Sequence, residues 1–278
     1  MDATILQFFE EIRNPVLTGI FGVFSLLGEA AVISTIVLLV FWLAPKRVGE
    51  QALVTVLTGY PLNAYIKYTA ARPRPYIEGV VAKLDPPLGA SLDDFASLPS
   101  GHTQTTTGFF GAVASRSKRI VVWLLCILVV LLIAVSRIYF GVHNPSDVLA
   151  GLVLGVMTAL LWALVYRVFY NVRLIFLLVF AATALVPVLF SPSREYVQAA
   201  GLLSGAAVAL TALEFSTEKC VKFPRKIWRI PVGISTLAVA YVLTMFLPAG
   251  TAYSLLKWFL LAFTGIFIEQ QLFEWLQI

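Results

Sequence analysis

Ile120-VVWLLCILVVLLIAVSRIYFGVHNPSDVLAGLVLGVMTALLWALV-Tyr166 consists of two apolar runs, 120–136 and 148–166, separated by a short polar joint. Each run falls within the roughly 17–25 residues that an α-helix needs to cross a bilayer core. The joint carries Arg137, His143, Asn144, Pro145 and Asp147. Asn144 reads as an N-cap and Pro145 as the first residue of the next helix. Asp147 then falls in that helix's first turn. The chain has only two histidines, and one of them is here.

The pattern repeats outward from this pair. Further apolar runs at 15–44, 51–69, 103–115, 174–190, 197–215, 230–247 and 253–272 bring the number of candidate spans to nine. The first is long for one crossing and is interrupted by Gly28-Glu29, so it tilts or breaks there. Of 278 residues, 59% are hydrophobic and 13% charged, about half the charge of a soluble domain. Mean hydropathy is +0.89. The fold class is therefore all-α, a polytopic transmembrane helical bundle.

The net charge of +5 points to membrane orientation and not to nucleic acid, because of where it is placed. Alternating nine spans puts 44–50, 116–119, 167–173 and 216–229 on one side, and these segments hold twelve of the twenty Lys and Arg residues. The positive-inside rule makes that side cytoplasmic, with the N-terminus outside and the C-terminus cytoplasmic. Trp42, Trp123, Trp162, Trp228 and Trp275 fall near the cytoplasmic ends, as an aromatic belt would. The acidic N-terminus lacks the basic region of a cleaved signal peptide. Residues 2–13 read as a helix lying in the interface. Cys126 sits in an apolar run and Cys220 in a basic loop, so no disulfide is expected. The expected organisation is an interfacial helix at 1–14, a transmembrane core at 15–167 with an outer loop at 70–102, and additional helices at 168–278.

Three polar clusters fall at span ends on the outer side. Lys67 lies near the end of its run, and Pro73 and Pro75 stop the helix so that Lys67 and Arg74 can turn toward one anion. Ser100-Gly101-His102 sits where a polar loop becomes an apolar helix, whose N-terminus offers free N–H groups. Ser100 adds a hydroxyl or merely caps the helix. His102 is placed to protonate a leaving oxygen. Asp147 lies within reach of His143, and a carboxylate on one ring nitrogen leaves the other free to attack. Arg137 offers a bidentate fork to an anion.

Phosphoryl transfer needs such a set: cations around the equatorial oxygens, an in-line nucleophile and an acid. Singly, each signal has a plainer reading as a snorkelling lysine, a helix cap or dipole compensation. Two residues are accessory. A bare charge at Glu29 costs on the order of 2.5–3.5 kcal/mol mid-span, so it is protonated, paired or facing the site. Arg72 is interfacial, with a secondary contact to substrate. No cluster has metal-ligand spacing, so no metal and no cofactor are expected.

Taken together, Lys67-x6-Arg74-Pro75, Pro99-Ser100-Gly101-His102 and Ser136-Arg137-x5-His143-x3-Asp147 resemble the three-part signature of the type 2 phosphatidic acid phosphatase superfamily. The likeness covers roughly residues 50–160. It implies that Lys67, Arg74 and Arg137 bind phosphate together with Ser100 and Gly101. It implies that His102 is the general acid, that His143 attacks to form a phosphohistidine, and that Asp147 orients it. The implied activity is metal-independent hydrolysis of a lipid phosphate or isoprenyl diphosphate at the extracytoplasmic face of the plasma membrane. The spans after residue 167 exceed the usual six-span core of the family. Two alternatives stay open: a lipid transporter or scramblase on the same scaffold, and a phosphatase of a soluble phosphomonoester of the glucose-6-phosphatase type.

Overall fold

The computed structural model describes residues 1–86, 95–190, 193–214 and 223–278. Pro87, Asp93, Asp94, Lys219, Cys220 and Lys222 lie outside the described residues. Among the described residues the elements are helical, with one isolated bridge between Pro73 and Ala96. Helices satisfy every backbone polar group within the segment, as lipid requires. In chain order they are α1 (Asp2–Glu11), α2 (Pro15–Leu27), α3 (Ala30–Leu43), α4 (Lys46–Ala70), α5 (Gly101–Ser115), α6 (Ile120–Tyr139) and α7 (Pro145–Val168). There follow α8 (Arg173–Leu185), α9 (Arg194–Glu214), α10 (Phe223–Lys226), α11 (Arg229–Thr244), α12 (Thr251–Phe263) and α13 (Glu269–Leu276).

Each of the nine apolar runs falls on a helix or on consecutive helices. Among the described residues five segments are long and apolar enough to cross a membrane: α6, α7, Tyr170–Phe190, α9 and Thr251–Leu276. Counted as one, α2 and α3 make a sixth, bent by 53° at Gly28-Glu29. The count on length and apolarity is thus five or six, against the nine read from sequence. The physical reasons are plain: α4 is long but its interior carries Gln51, Thr55, Thr58, Tyr60, Asn63 and Lys67, which make it less apolar, and α5 and α11 are only 15 and 16 residues long. The protein is an all-helical integral membrane protein.

The chain divides into two compact units, Met1–Val37 with Tyr65–Ala163, and Leu38–Ala64 with Leu164–Ile278. In the first unit Asn14 caps α2, accepting the Leu17 N–H at 3.0 Å, with Pro15 at the first helical position. The α5–α7 contact rests on small residues. A Cβ on Gly151 would lie 2.7 Å from the Ser100 carbonyl oxygen, and one on Gly155 2.5 Å from Thr107 Cβ. Gly151-x3-Gly155 is the spacing that lets two helix backbones approach closely. The start of α5 is thereby laid against the start of α7.

Helix α1 covers this end of the unit. Arg13 donates to the carbonyls of Tyr139 and Ala82 at 3.1 and 2.8 Å, and Glu10 accepts the Ala82 N–H at 2.7 Å. Beneath it Tyr139, Phe140 and Val142 form a buried cluster, with Phe9, Leu17, Phe21, Tyr76 and Leu84 packed around it.

The second unit repeats the small-residue device. Gly201 and Gly205 of α9 meet the backbone of α12, where added Cβ atoms would sit 2.6 and 2.3 Å from the Leu255 and Phe259 carbonyl oxygens. Two features read from sequence as membrane signals are used internally instead. Trp42 and Trp162 are buried, each in its own unit, and not in an aromatic belt; the Trp42 indole donates to the Gly265 carbonyl at 2.9 Å. Arg173 and Arg229 are buried too. Arg173 pairs with Glu50 and Glu214, and Arg229 donates to the carbonyls of Ile278 and Trp42.

Candidate active site

His143 hangs from the turn joining α6 to α7. Gly141 makes that turn possible with φ +68°, and a side chain there would strike Arg13 and Val81 at 2.9 Å. The Val142 N–H donates to the Arg137 carbonyl at 3.2 Å, which folds the loop back on the end of α6. The buried aromatic cluster below holds it there, and His143 itself is 2% exposed.

Arg74 stands on the Nε2 side of this ring, and the charges of Arg137 and Lys67 reach it as well. Arg74, buried, donates to the Val142 carbonyl at 2.8 Å and lies 3.4 Å from His143 Nε2. Arg137, fully buried, donates through Nη1 to Ser25 Oγ. Its Nε and Nη2 have no hydrogen-bond partner among the described residues. Burial, then the charges of Arg74, Arg137 and Lys67, hold the His143 imidazole well below the ordinary histidine range, so it is neutral. Lys67, in the last turn of α4, acts electrostatically on both imidazoles.

Asp147 lies on the other side. Its Oδ2 accepts the Asn144 N–H at 2.7 Å, the reciprocal bond of a capping box. Its Oδ1 accepts Arg72 Nη1 at 2.9 Å. Asp147 Oδ2 and His143 Nδ1 are 4.0 Å apart, longer than a hydrogen bond, and Nδ1 has no partner among the described residues. The sequence placed Asp147 within reach of His143; the structure brings it close and gives its oxygens to the helix cap and to Arg72. Arg72 also donates to Ser146 Oγ at 2.7 Å and pairs with Asp2 at 3.4 Å.

Ser100 is a helix cap, accepting the Thr103 N–H at 3.4 Å, while its own N–H donates to the Asp147 carbonyl at 3.0 Å. Gly101 opens α5 and His102 follows it. His102 Nε2 lies 3.1 Å from the Glu29 carboxylate. All ten residues singled out from the sequence belong to the first unit. Ser25, Asp2 and the Gly151/Gly155 pair were missed. The glycine pair had a readable spacing within an apolar run. Ser25 and Asp2 had no sequence signal, since their roles come from contacts across 112 and 144 residues.

The arrangement is a buried guanidinium with open donor atoms, its charge reaching a buried imidazole flanked by Arg74. A buried guanidinium with open donors is costly, by about 1–3 kcal/mol for each unmet group, until an anion meets it. His143 Nε2 faces Arg74 at 3.4 Å.

Residues 49–174 match the PAP2 superfamily. Undecaprenyl-diphosphatase BcrC of Bacillus subtilis (strain 168) is 31% identical over 137 residues, which is 48% of this chain and 67% of that protein. Lipid A 1-phosphatase of Rhizobium johnstonii is 33% identical over 122 residues, 43% of this chain and 48% of that protein. The chain spans less than half the length of three of the curated relatives it matches, at 30%, 48% and 39%. A crystal structure of a transmembrane PAP2 type phosphatidylglycerolphosphate phosphatase from Bacillus subtilis superposes with a TM-score of 0.51 at 24% identity. It covers 58% of this chain and 82% of that one, a likeness of fold. The fold and the matched residues define a helical membrane protein with a polar site at its span ends. The chain belongs to the PAP2 superfamily.

Proposed function

We propose that this chain is an integral-membrane phosphatase that hydrolyses the terminal phosphate of a lipid phosphate or isoprenyl diphosphate. His143 Nε2 attacks phosphorus and becomes a phosphohistidine; water then releases phosphate. Arg74, Arg137 and Lys67 neutralise the equatorial oxygens, with the Gly101 N–H at the start of α5 completing the cradle and Ser100 holding that helix end. His102 is the general acid. Asp147 lies on the Nδ1 side of His143, where imidazolium charge develops. Cationic side chains meet the charge, so the reading asks for no metal. The observation that carries it is the buried Arg137, with two open N–H donors, beside a neutral histidine flanked by Arg74.

The same proposal takes nine crossings, with the N-terminus outside, the C-terminus cytoplasmic and the site at the extracytoplasmic face of the plasma membrane. The basic residues of segments 44–50, 116–119, 167–173 and 216–229 other than the buried Arg173 and Arg229 support it. The phosphatase-like transmembrane core takes residues 15–167, and 168–278 are additional helices. A site at span ends suits a substrate whose tail stays in the bilayer.

Purified protein in detergent, offered lipid monophosphates, lipid diphosphates and a water-soluble sugar phosphate, with and without orthovanadate, tests this. Wild type releases phosphate from a lipid ester and vanadate blocks it. His143→Ala loses at least about 10³-fold in turnover while keeping its elution profile. Wild-type turnover by His143→Ala on every ester would sink the proposal.

A further inference from the structure

The broken span α2–α3 touches the site at its break. Ser25, three residues before Gly28, accepts from Arg137. Gly28 packs on the imidazole of His102, and a Cβ there would lie 2.8 Å from His102 Cδ2 and 3.1 Å from Ile133 Cγ2. Only glycine lets the kink lie this close. The next residue, Glu29, places Oε1 3.1 Å from His102 Nε2, with both side chains largely buried at 16% and 13% exposure. Glu29 also lies before residue 49, where the family match begins.

We infer that Glu29 is a positioning residue for the acid-base histidine, a second carboxylate–imidazole pair on the leaving-group side of the site. The inference rests on the phosphatase reading above. The kink covers the Cδ2–Nε2 edge of the His102 ring, so Nδ1 is the nitrogen left for substrate. An ionised Glu29 accepts a hydrogen bond from Nε2–H and sets its negative charge against the proton that Nδ1 carries. As the bond from phosphorus to the leaving oxygen breaks, its electron pair stays on that oxygen, which takes the Nδ1 proton. In the second half, Nδ1 takes a proton from water as the water oxygen bonds to phosphorus. The phosphorus bond to His143 Nε2 then breaks, and its electron pair returns to His143. A carboxylate mid-span is costly alone; paired with a working histidine it has a reason to be there.

The test compares a lipid phosphate, whose alkoxide must be protonated to leave, with p-nitrophenyl phosphate, whose phenolate leaves unaided. Glu29→Gln keeps the shape and a hydrogen-bond acceptor but loses the charge. It should lower kcat on the lipid ester on the order of 10²-fold, with little change in KM. On p-nitrophenyl phosphate it should fall less than about threefold, a tolerance set against general-acid effects of about 10²–10⁴. Glu29→Asp, which restores the charge, should recover most of the lipid activity. An equal loss on both esters, no loss on either, or no recovery with Asp overturns the inference while leaving the phosphatase reading intact. A wild type that hydrolyses neither ester overturns both.

Discussion

Arg137 is satisfied at one corner and open at two. Ser25 takes Nη1, while Nε and Nη2 are buried without partners among the described residues. A planar fork of this kind matches two oxygens of a tetrahedral anion, and an ammonium does not. Arg137→Lys keeps the charge and loses the fork. Hydrogen bonds to charged groups contribute about 1.5–3 kcal/mol. The substitution should therefore weaken orthovanadate inhibition roughly 10- to 10²-fold, measured as Ki at fixed pH and salt. An unchanged Ki would remove Arg137 from the anion site. At this scale the sequence singled out His143, His102, Arg74 and Arg137, because residue type limits what a side chain can do. It did not identify which partner each one takes. Asp147 was assigned to His143, yet its oxygens are held by the Asn144 N–H and Arg72.

The starts of α5 and α7 are held together by contact between their backbones. Gly155 is 2.5 Å from Thr107 and 2.6 Å from the Gln104 carbonyl, measured from where its Cβ would be. A valine cannot fit without moving one helix, and overpacking of this kind costs about 1–3 kcal/mol. Gly155→Val should lower the unfolding temperature and reduce kcat as well, because the Ser100–Asp147 backbone bond joins the same two helices. Gly19, whose added Cβ would meet nothing within 4 Å, is the control. Gly19→Ala should leave turnover unchanged and gain up to about 1 kcal/mol from helix propensity. Thermal scans in detergent with parallel assays check both. Helix boundaries were legible here, since Ser100, Asn144 and Pro145 carry local signals. The break at Gly28-Glu29 was legible as an interruption. Its 53° bend and its contact with His102 required the fold.

Across the whole molecule, the ten site residues lie in one compact unit and a buried charge network lies in the other. Arg173 joins Glu50 at 3.2 Å and Glu214 at 2.5 Å, and Glu50 is 2% exposed. Removing the cation leaves a buried carboxylate uncompensated, at a cost of about 3–5 kcal/mol. Arg173→Met should lower the unfolding temperature substantially and leave kcat per folded molecule at the wild-type level. Adding Glu50→Gln should recover part of the lost stability. A large fall in kcat with normal stability would contradict this separation.

Composition and charge order are properties of the chain, summed over residues whatever their contacts. That is why the all-helical membrane class, the nine apolar runs and the three polar clusters could be read without coordinates. Partnership is set by distance between residues far apart in the chain. Only the folded protein decided that Ser25 meets Arg137, that Glu29 meets His102, and that Arg173 and Trp42 turn inward and not to an interface. A buried polar or aromatic group takes whichever neighbour packing brings within reach, and the primary sequence does not record that neighbour.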